Sequence, residues 1–116
     1  MTTYRLERDA ESLRSLTSDG ELLARDAAVG ESTTAFTKTH GDELAKEIGA
    51  LADVVRSTRP APGLERKTRT LAALAETAAG ELERLAASPS QRAVARKVRS
   101  RLGAVSAHAE ELEKSR

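Results

Sequence analysis

Cysteine and tryptophan are absent from this sequence, and Phe36 and Tyr4 are its only Phe and Tyr residues. Without cysteine, no disulfide, thiolate nucleophile or cysteine-ligated metal centre is possible. Two aromatic residues are too few to form a platform on which bases, sugars or quaternary amines stack. The longest apolar runs, such as 71–75, are far shorter than the roughly 20 residues that cross a bilayer. These absences exclude a disulfide-stabilised, base-stacking or membrane-spanning helical protein.

Alanine dominates the apolar residues that are present. They make up 39% of the 116 residues, yet almost half of them are alanines, and Leu, Ile, Val and Phe together number only 22. That share, about 19%, lies near the lower limit for a packed fold. The formal net charge of +1 gives no electrostatic reason for the chain to stay expanded. We expect one domain, residues 1–116, with a thin core of small side chains, and a homodimer would add buried area.

The amino-terminal residues carry no targeting pattern. The segment Met-Thr-Thr-Tyr-Arg-Leu-Glu lacks the apolar stretch of a secretory signal, so we expect a cytoplasmic protein without a membrane partner. Arginine outnumbers lysine 14 to 5 and alanine is abundant, which is typical of a GC-rich bacterial genome. We therefore expect a bacterial protein of the cytoplasm.

Two breaks organise the second half of the chain. Segment 57–63 contains two prolines and a glycine, so no helix crosses it. Segment 88–91 (Ser-Pro-Ser-Gln) has the pattern of a capping box with proline at the first helical position, which predicts that a helix begins at 89. Apolar residues spaced by three and four predict amphipathic helices over about 64–87 and 89–114.

The first half allows two divisions. In one, a helix spans about 4–28, the chain turns near Gly30, and a second helix spans about 32–57. In the other, the chain breaks at 18–21 (Ser-Asp-Gly-Glu), itself a capping box, and one helix spans about 19–58. That helix would be about 60 Å long and would overhang partners of about 36 to 39 Å unless a dimer covered it. We therefore favour an all-α, antiparallel up-down-up-down four-helix bundle.

Charge is divided unevenly along the chain. Residues 1–55 carry 6 basic and 11 acidic residues, whereas residues 56–116 carry 13 basic and 7 acidic residues. The stretch 92–101 contains five cations and no acid, and three of the cations recur at i, i+4 and i+7 on one helix face, as a phosphate-binding surface requires. These candidate contacts for nucleic acid or an acidic partner are Arg92, Arg96, Lys97, Arg99 and Arg101.

The same cations also have candidate partners inside the bundle. An antiparallel arrangement of the last two helices would place carboxylates of 76–83 beside the basic start of the fourth helix. It would also place the carboxylates of 110–113 beside the cations of 66–69. An internally compensated, solvated face is therefore the simpler interpretation of the basic stretch, and nucleic-acid binding is the alternative.

No constellation in the sequence is typical of a catalytic or metal site. His40 and His108 each precede a glutamate by three residues, the reverse of the Glu-x-x-His order of bundle di-metal proteins. No histidine is placed to form an identifiable triad with serine or threonine, and there is no Gly-rich phosphate loop. We expect no enzyme activity, cofactor, metal or small-molecule substrate. The prediction is a non-catalytic interaction or regulatory protein of unknown partner that self-associates.

Overall fold

The computed structural model describes residues 1–114, which form four α-helices. The helices are α1 (Thr3–Val29), α2 (Thr34–Ser57), α3 (Glu65–Ala87) and α4 (Arg92–Lys114). The expected all-α four-helix bundle is confirmed. Ser115 and Arg116, the last two residues of the expected domain, lie outside the described residues.

The turn between α1 and α2 lies at Gly30, as the favoured division predicted. Gly30 adopts a left-handed conformation (φ 78°), which glycine takes without the steric cost of a Cβ atom. The next amide, Glu31 N–H, donates to the Asp26 carbonyl at 2.8 Å and completes the helix end. The Thr33 hydroxyl then accepts from Phe36 N–H at 3.0 Å and caps α2. The alternative break at 18–21 is wrong, because that segment lies inside α1.

The predicted start of α4 at 89 is also wrong, because α4 begins at Arg92. Ser88 N–H donates to the carbonyls of Arg84 and Leu85, each at 3.2 Å, so Ser88 ends α3 and does not begin α4. Its own carbonyl accepts from Gln91 N–H at 3.1 Å in a turn. The Ser-Pro-Ser-Gln segment is therefore a connection between helices and forms no capping box.

The four helices pack as two closely associated pairs. The most extensive contacts join α1 to α4 and α2 to α3, whereas α1 and α2 touch much less. Small residues allow the close pairs: a Cβ on Gly20 would lie 3.0 Å from Leu102 Cδ1, and one on Gly41 would lie 3.3 Å from Ala86 Cβ. The result is a rod 46 Å long in which α1 and α2 meet along a seam with little contact.

Aliphatic side chains fill the core without any aromatic contribution. The largest fully buried side chains are leucines together with Ile48, and alanines occupy most of the remaining core positions. Thr17 and Thr37 are also buried, and their hydroxyls donate to the carbonyls four residues earlier, of Leu13 and of the α2 cap residue Thr33, both at 2.8 Å. Over residues 1–114, no helix has both the length and the apolar character needed to cross a membrane.

Candidate functional site

The basic residues singled out in the sequence lie on the solvent-exposed side of α4. Spacing places three of them on one helix face, since residues separated by three, four and seven positions are neighbours on a helix. We call the following set the α4 basic face: Arg92, Arg96, Lys97, Arg99 and Arg101.

Arg101 is the member of the α4 basic face that is engaged by the fold. Its Nη1 atom lies 3.4 Å from Glu81 Oε1, and Arg84 Nη1 donates to the other oxygen of that carboxylate at 2.9 Å. Glu81 is buried in α3, so two guanidinium groups hold the one buried carboxylate. Of the predicted pairings between the carboxylates of 76–83 and the basic stretch 92–101, this one forms, between Glu81 and the last cation of that stretch.

The other predicted pairings between α3 and α4 do not form within residues 1–114. Glu113 Oε2 lies 2.7 Å from Nε of Arg14 on α1, and the Glu76 carboxylate contacts the guanidinium of Arg56 on α2. That contact lowers the pKa of Glu76 and raises the pKa of Arg56, mainly through the hydrogen bond between the two side chains. These carboxylates therefore pair with arginines of α2 and α1, and the cations of 66–69 form no ion pair in the described residues.

The remaining four cations of the α4 basic face have no direct carboxylate partner. Among residues 1–114, no carboxylate oxygen lies within 4.0 Å of a nitrogen of Arg92, Arg96, Lys97 or Arg99. Arg99 interacts electrostatically with the carboxylate of Glu21 on α1. Burial raises the pKa of Glu21, and the positive charge of Arg99 opposes that rise. The expected neutralisation of the basic charges by carboxylates of the bundle therefore holds for Arg101 and is weak for the other four cations of the α4 basic face.

A second candidate surface lies at the seam between α1 and α2. Leu22 of α1 is 51% exposed and Phe36 of α2 is 56% exposed, although both belong to residue types that ordinarily fill cores. They line one cleft of about 210 Å³. We call this the α1–α2 cleft, and its lining residues are Asp19, Leu22, Leu23, Asp26, Phe36 and His40.

The α1–α2 cleft combines apolar anchors with carboxylates. The Phe36 and His40 rings stack with centroids 5.3 Å apart, so the imidazole extends the apolar surface of the phenyl ring. Asp19 and Asp26 contribute the negative charge. The volume lies below the roughly 300–1,000 Å³ of pockets that bind small molecules, and it suits protruding side chains of another molecule.

Sequence reasoning missed Leu22 and Phe36, although a signal was present. The apolar stripe of α1 passes through Leu13, Leu16 and Leu23, and that of α2 passes through Leu44 and further residues at spacings of three and four. Leu22 and Phe36 both fall off these stripes. A large apolar side chain off the stripe of an amphipathic helix points to solvent, which marks it as a candidate contact residue.

A third concavity of about 590 Å³ separates α2 from α3 on the outside of the bundle. Its floor is made of small residues, among them Gly49 and Gly80, and a Cβ added to either glycine would meet no atom within 4 Å. Carboxylates including Asp53 and Glu83 stand along its sides. The groove is open to solvent, and no apolar side chain larger than alanine lines it.

The histidines stand apart from any ligand cluster. His40 Nδ1 lies 3.8 Å from Glu43 Oε2, and His108 is exposed on α4. Among residues 1–114, no group of three or more His, Asp or Glu side chains is placed to hold a metal ion. Comparison with known proteins adds no further assignment, since the sequence matches no protein-family model, no curated protein and no solved structure.

Proposed function

We propose that this chain is a non-catalytic interaction module that binds another protein through the α1–α2 cleft. The observation that carries the proposal is the exposure of Phe36 and Leu22 on facing walls of one cleft. Fully burying one such side chain stabilises a fold or a complex by about 1.5–3 kcal/mol. A chain with an alanine-rich core that leaves its only phenylalanine in solvent gains that stabilisation when a partner covers it.

The chemical character of the cleft supports binding over catalysis. Its polar groups are two carboxylates on α1 and an imidazole that is stacked on Phe36. Aromatic side chains are enriched at the centres of protein interfaces, where they supply much of the binding energy. Phe36 and Leu22 are therefore the proposed anchors, and the surrounding polar residues form the rim.

Site-specific photo-cross-linking in the producing cell tests this proposal. A benzophenone amino acid at position 22 is expected to give an adduct with a discrete second protein. The control carries the same amino acid at Val54, which is 44% exposed and lies roughly 27 Å further along α2 than Phe36. Adducts that are absent at position 22, or identical at both positions, would contradict the proposal.

A second candidate function is nucleic-acid binding by the α4 basic face. The observation that favours it is the absence of a carboxylate within 4.0 Å of four of its cations in residues 1–114. Arg92, Arg96 and Arg99 share one helix face along which a phosphate backbone would run. Arg101 contributes less, since Glu81 holds it.

Salt-dependent binding to duplex DNA tests the second candidate. Each lost phosphate contact reduces the slope of log K against log salt by about 0.9. Arg96→Ala with Arg99→Ala is therefore expected to reduce the slope by nearly two units, whereas Arg66→Ala with Arg69→Ala on α3 serves as a charge-matched control. No retention of duplex at low salt would eliminate this function.

A further inference from the structure

The geometry points to a positively charged amphipathic helix of a partner protein as the occupant of the α1–α2 cleft. This inference rests on the proposed function and names the chemistry of the partner. It combines three observations: the placement of carboxylates around the anchors, the groove between two antiparallel helices, and the excess of acid in the half of the chain that builds both walls.

Carboxylates flank the apolar anchor of α1 on both sides. Asp19, Leu22 and Asp26 follow one another at i, i+3 and i+7, so they lie along one helix face with the leucine between the two acids. The acids are separated by seven residues, roughly 10.5 Å along the axis. A partner helix with an apolar side chain and a cation about one turn to either side matches this order.

One further carboxylate lies on α2 close to the cleft. Phe36, His40 and Glu43 follow at i, i+4 and i+7, and the Glu43 side chain is 64% exposed. Glu43 is outside the lining of the cleft itself and lies about two helical turns from the Phe36 anchor. Glu43 lies beyond His40, at 3.8 Å from its Nδ1 atom, where it extends the acidic rim along the seam.

Two of the cations near the cleft are already paired with carboxylates. Arg25 Nη2 lies 3.0 Å from Asp26 Oδ1, and Lys38 Nζ lies 3.5 Å from Asp42 Oδ2. In residues 1–114, Asp19 has no cation within 4.0 Å. Residues 1–55, which include α1 and most of α2, carry 11 acidic and 6 basic residues. Acidic residues therefore outnumber basic ones around the cleft, although Arg25 is paired with Asp26 and Arg92 lies beside Gly30 at the turn, and this excess of acid favours a basic partner over an acidic one.

Charge disfavours a second copy of this chain that pairs the cleft with itself. A two-fold interface places the same patch on both subunits. Pairing the cleft with itself would set Asp19 and Asp26 against the same carboxylates of the other copy, and like charges in contact are unfavourable. A helix laid along the seam between α1 and α2 avoids this conflict, and helix-in-groove binding is a common mode of peptide recognition.

A displayed library of 18-residue amphipathic helices tests the inference. The apolar stripe of each helix is fixed, and the flanking positions vary among Lys, Arg, Glu, Gln, Ser and Ala. The intact chain is the bait, and the Phe36→Ser chain removes helices that bind elsewhere. Selection is expected to enrich helices with Lys or Arg about one turn from an apolar anchor. An enriched pool without excess positive charge, or no enrichment at all, would overturn the inference.

Variants of the bait then locate the charge effect. Asp19→Asn with Asp26→Asn is expected to weaken binding of a selected helix roughly 3- to 30-fold, since exposed ion pairs contribute modestly. Phe36→Ser is expected to weaken it about 30-fold or more, as an interface hot spot would. Asp53→Asn and Val54→Ser, an exposed acid and an exposed aliphatic residue away from the cleft, are expected to leave binding unchanged. Equal binding by the Asp double variant would contradict the charge assignment.

The two levels of the proposal fail in different ways. Cross-linking at position 22 together with a neutral or acidic enriched pool would retain the interaction module and reject the basic helix. Absence of both cross-links and enriched helices would reject the interaction module as well. A cross-linked species of twice 12.4 kDa would identify a second copy as the occupant and overturn the inference.

Discussion

Gly20 of α1 and Leu102 of α4 meet so closely that a Cβ on the glycine would lie 3.0 Å from Leu102 Cδ1. Leu82 of α3 closes the same space from the other side, at 3.1 Å from that Cβ position. Glycine in the middle of a helix is less favourable than alanine by about 1 kcal/mol. At this position the cost is offset by the approach of three helices to one another.

Glycine-to-alanine substitutions therefore separate packed from open positions. Gly49→Ala is expected to raise the free energy of unfolding by about 1 kcal/mol, because its Cβ enters open space and the helix propensity improves. Gly20→Ala gains the same helix propensity, but its Cβ would crowd Leu102 and Leu82, and such overpacking costs about 1–3 kcal/mol. Its stability is therefore expected to be unchanged or reduced. Urea unfolding of both variants measures the difference, and equal stabilisation would show that the Gly20 contact is loose.

Capping distinguishes the two serine or threonine residues that precede α2 and α4. Thr33→Ala is expected to lower the free energy of unfolding by about 1 kcal/mol, since its hydroxyl accepts from Phe36 N–H. Ser88→Ala is expected to change it by less than about 0.5 kcal/mol, because the Ser88 side chain caps no helix. Thermal unfolding followed by circular dichroism compares the two. A similar loss for Ser88→Ala would indicate that α4 begins at 89 in solution.

Glu21 is expected to make stability depend on pH. Burial raises its pKa above the ordinary value of 4.5, and the Arg99 charge opposes this only in part. An acid whose pKa is higher in the folded chain stabilises the fold when protonated, and this contribution disappears as the pH rises through the folded pKa. Glu21→Gln is therefore expected to exceed the wild-type melting temperature at pH 7 and to equal it near pH 3.5.

A matched variant checks that this effect belongs to burial. Glu47→Gln removes an exposed carboxylate of α2 and serves as the control, since no burial acts on that side chain. A Glu21→Gln advantage that persists at low pH would indicate that the amide is favoured for a reason other than charge.

The two guanidinium groups at Glu81 are expected to contribute to stability together. Arg101→Gln is expected to lower the free energy of unfolding by about 1 kcal/mol, because Glu81 is buried and loses one of its two donors. Lys97→Gln, on the same helix without an ion pair in the described residues, is expected to stay within about 0.5 kcal/mol of the wild type.

A double substitution completes the cycle. Combining Arg101→Gln with Glu81→Gln is expected to cost less than the two single losses added together, because the shared contact is removed only once. Strict additivity would show that Arg101 and Glu81 do not interact in solution.

Much of the fold follows from spacing and from residues that restrict the backbone. The apolar residues at spacings of three and four in the second half predicted α3 and most of α4. Gly30 predicted the first turn, because helices often end at a glycine in the left-handed conformation. The start of α4 could not be read from Ser88, since serine caps one helix as readily as it ends another. The choice depends on which carbonyl groups its amide reaches, and that is a tertiary property.

The candidate sites were predictable to different degrees. The α4 basic face was visible because charges in one helix stay at the surface. The partners of those charges were not, since Glu76 and Glu113 reach α2 and α1, which no spacing rule brings beside them. The α1–α2 cleft depends on how loosely two helices meet, a quantity that the sequence of either helix does not contain. The only sign of this cleft in the sequence is that Leu22 and Phe36 lie off the apolar stripes of their helices.

The unequal pairing of helices has a consequence for the order of folding. α2 and α3 are neighbours in sequence, so their extensive contact closes a short loop and forms at little entropic cost. α1 makes its most extensive contact with α4, the helix farthest from it along the chain. During synthesis, the apolar face of α1 is therefore not fully covered until α4 has been made. In that interval the face is accessible to chaperones and can aggregate.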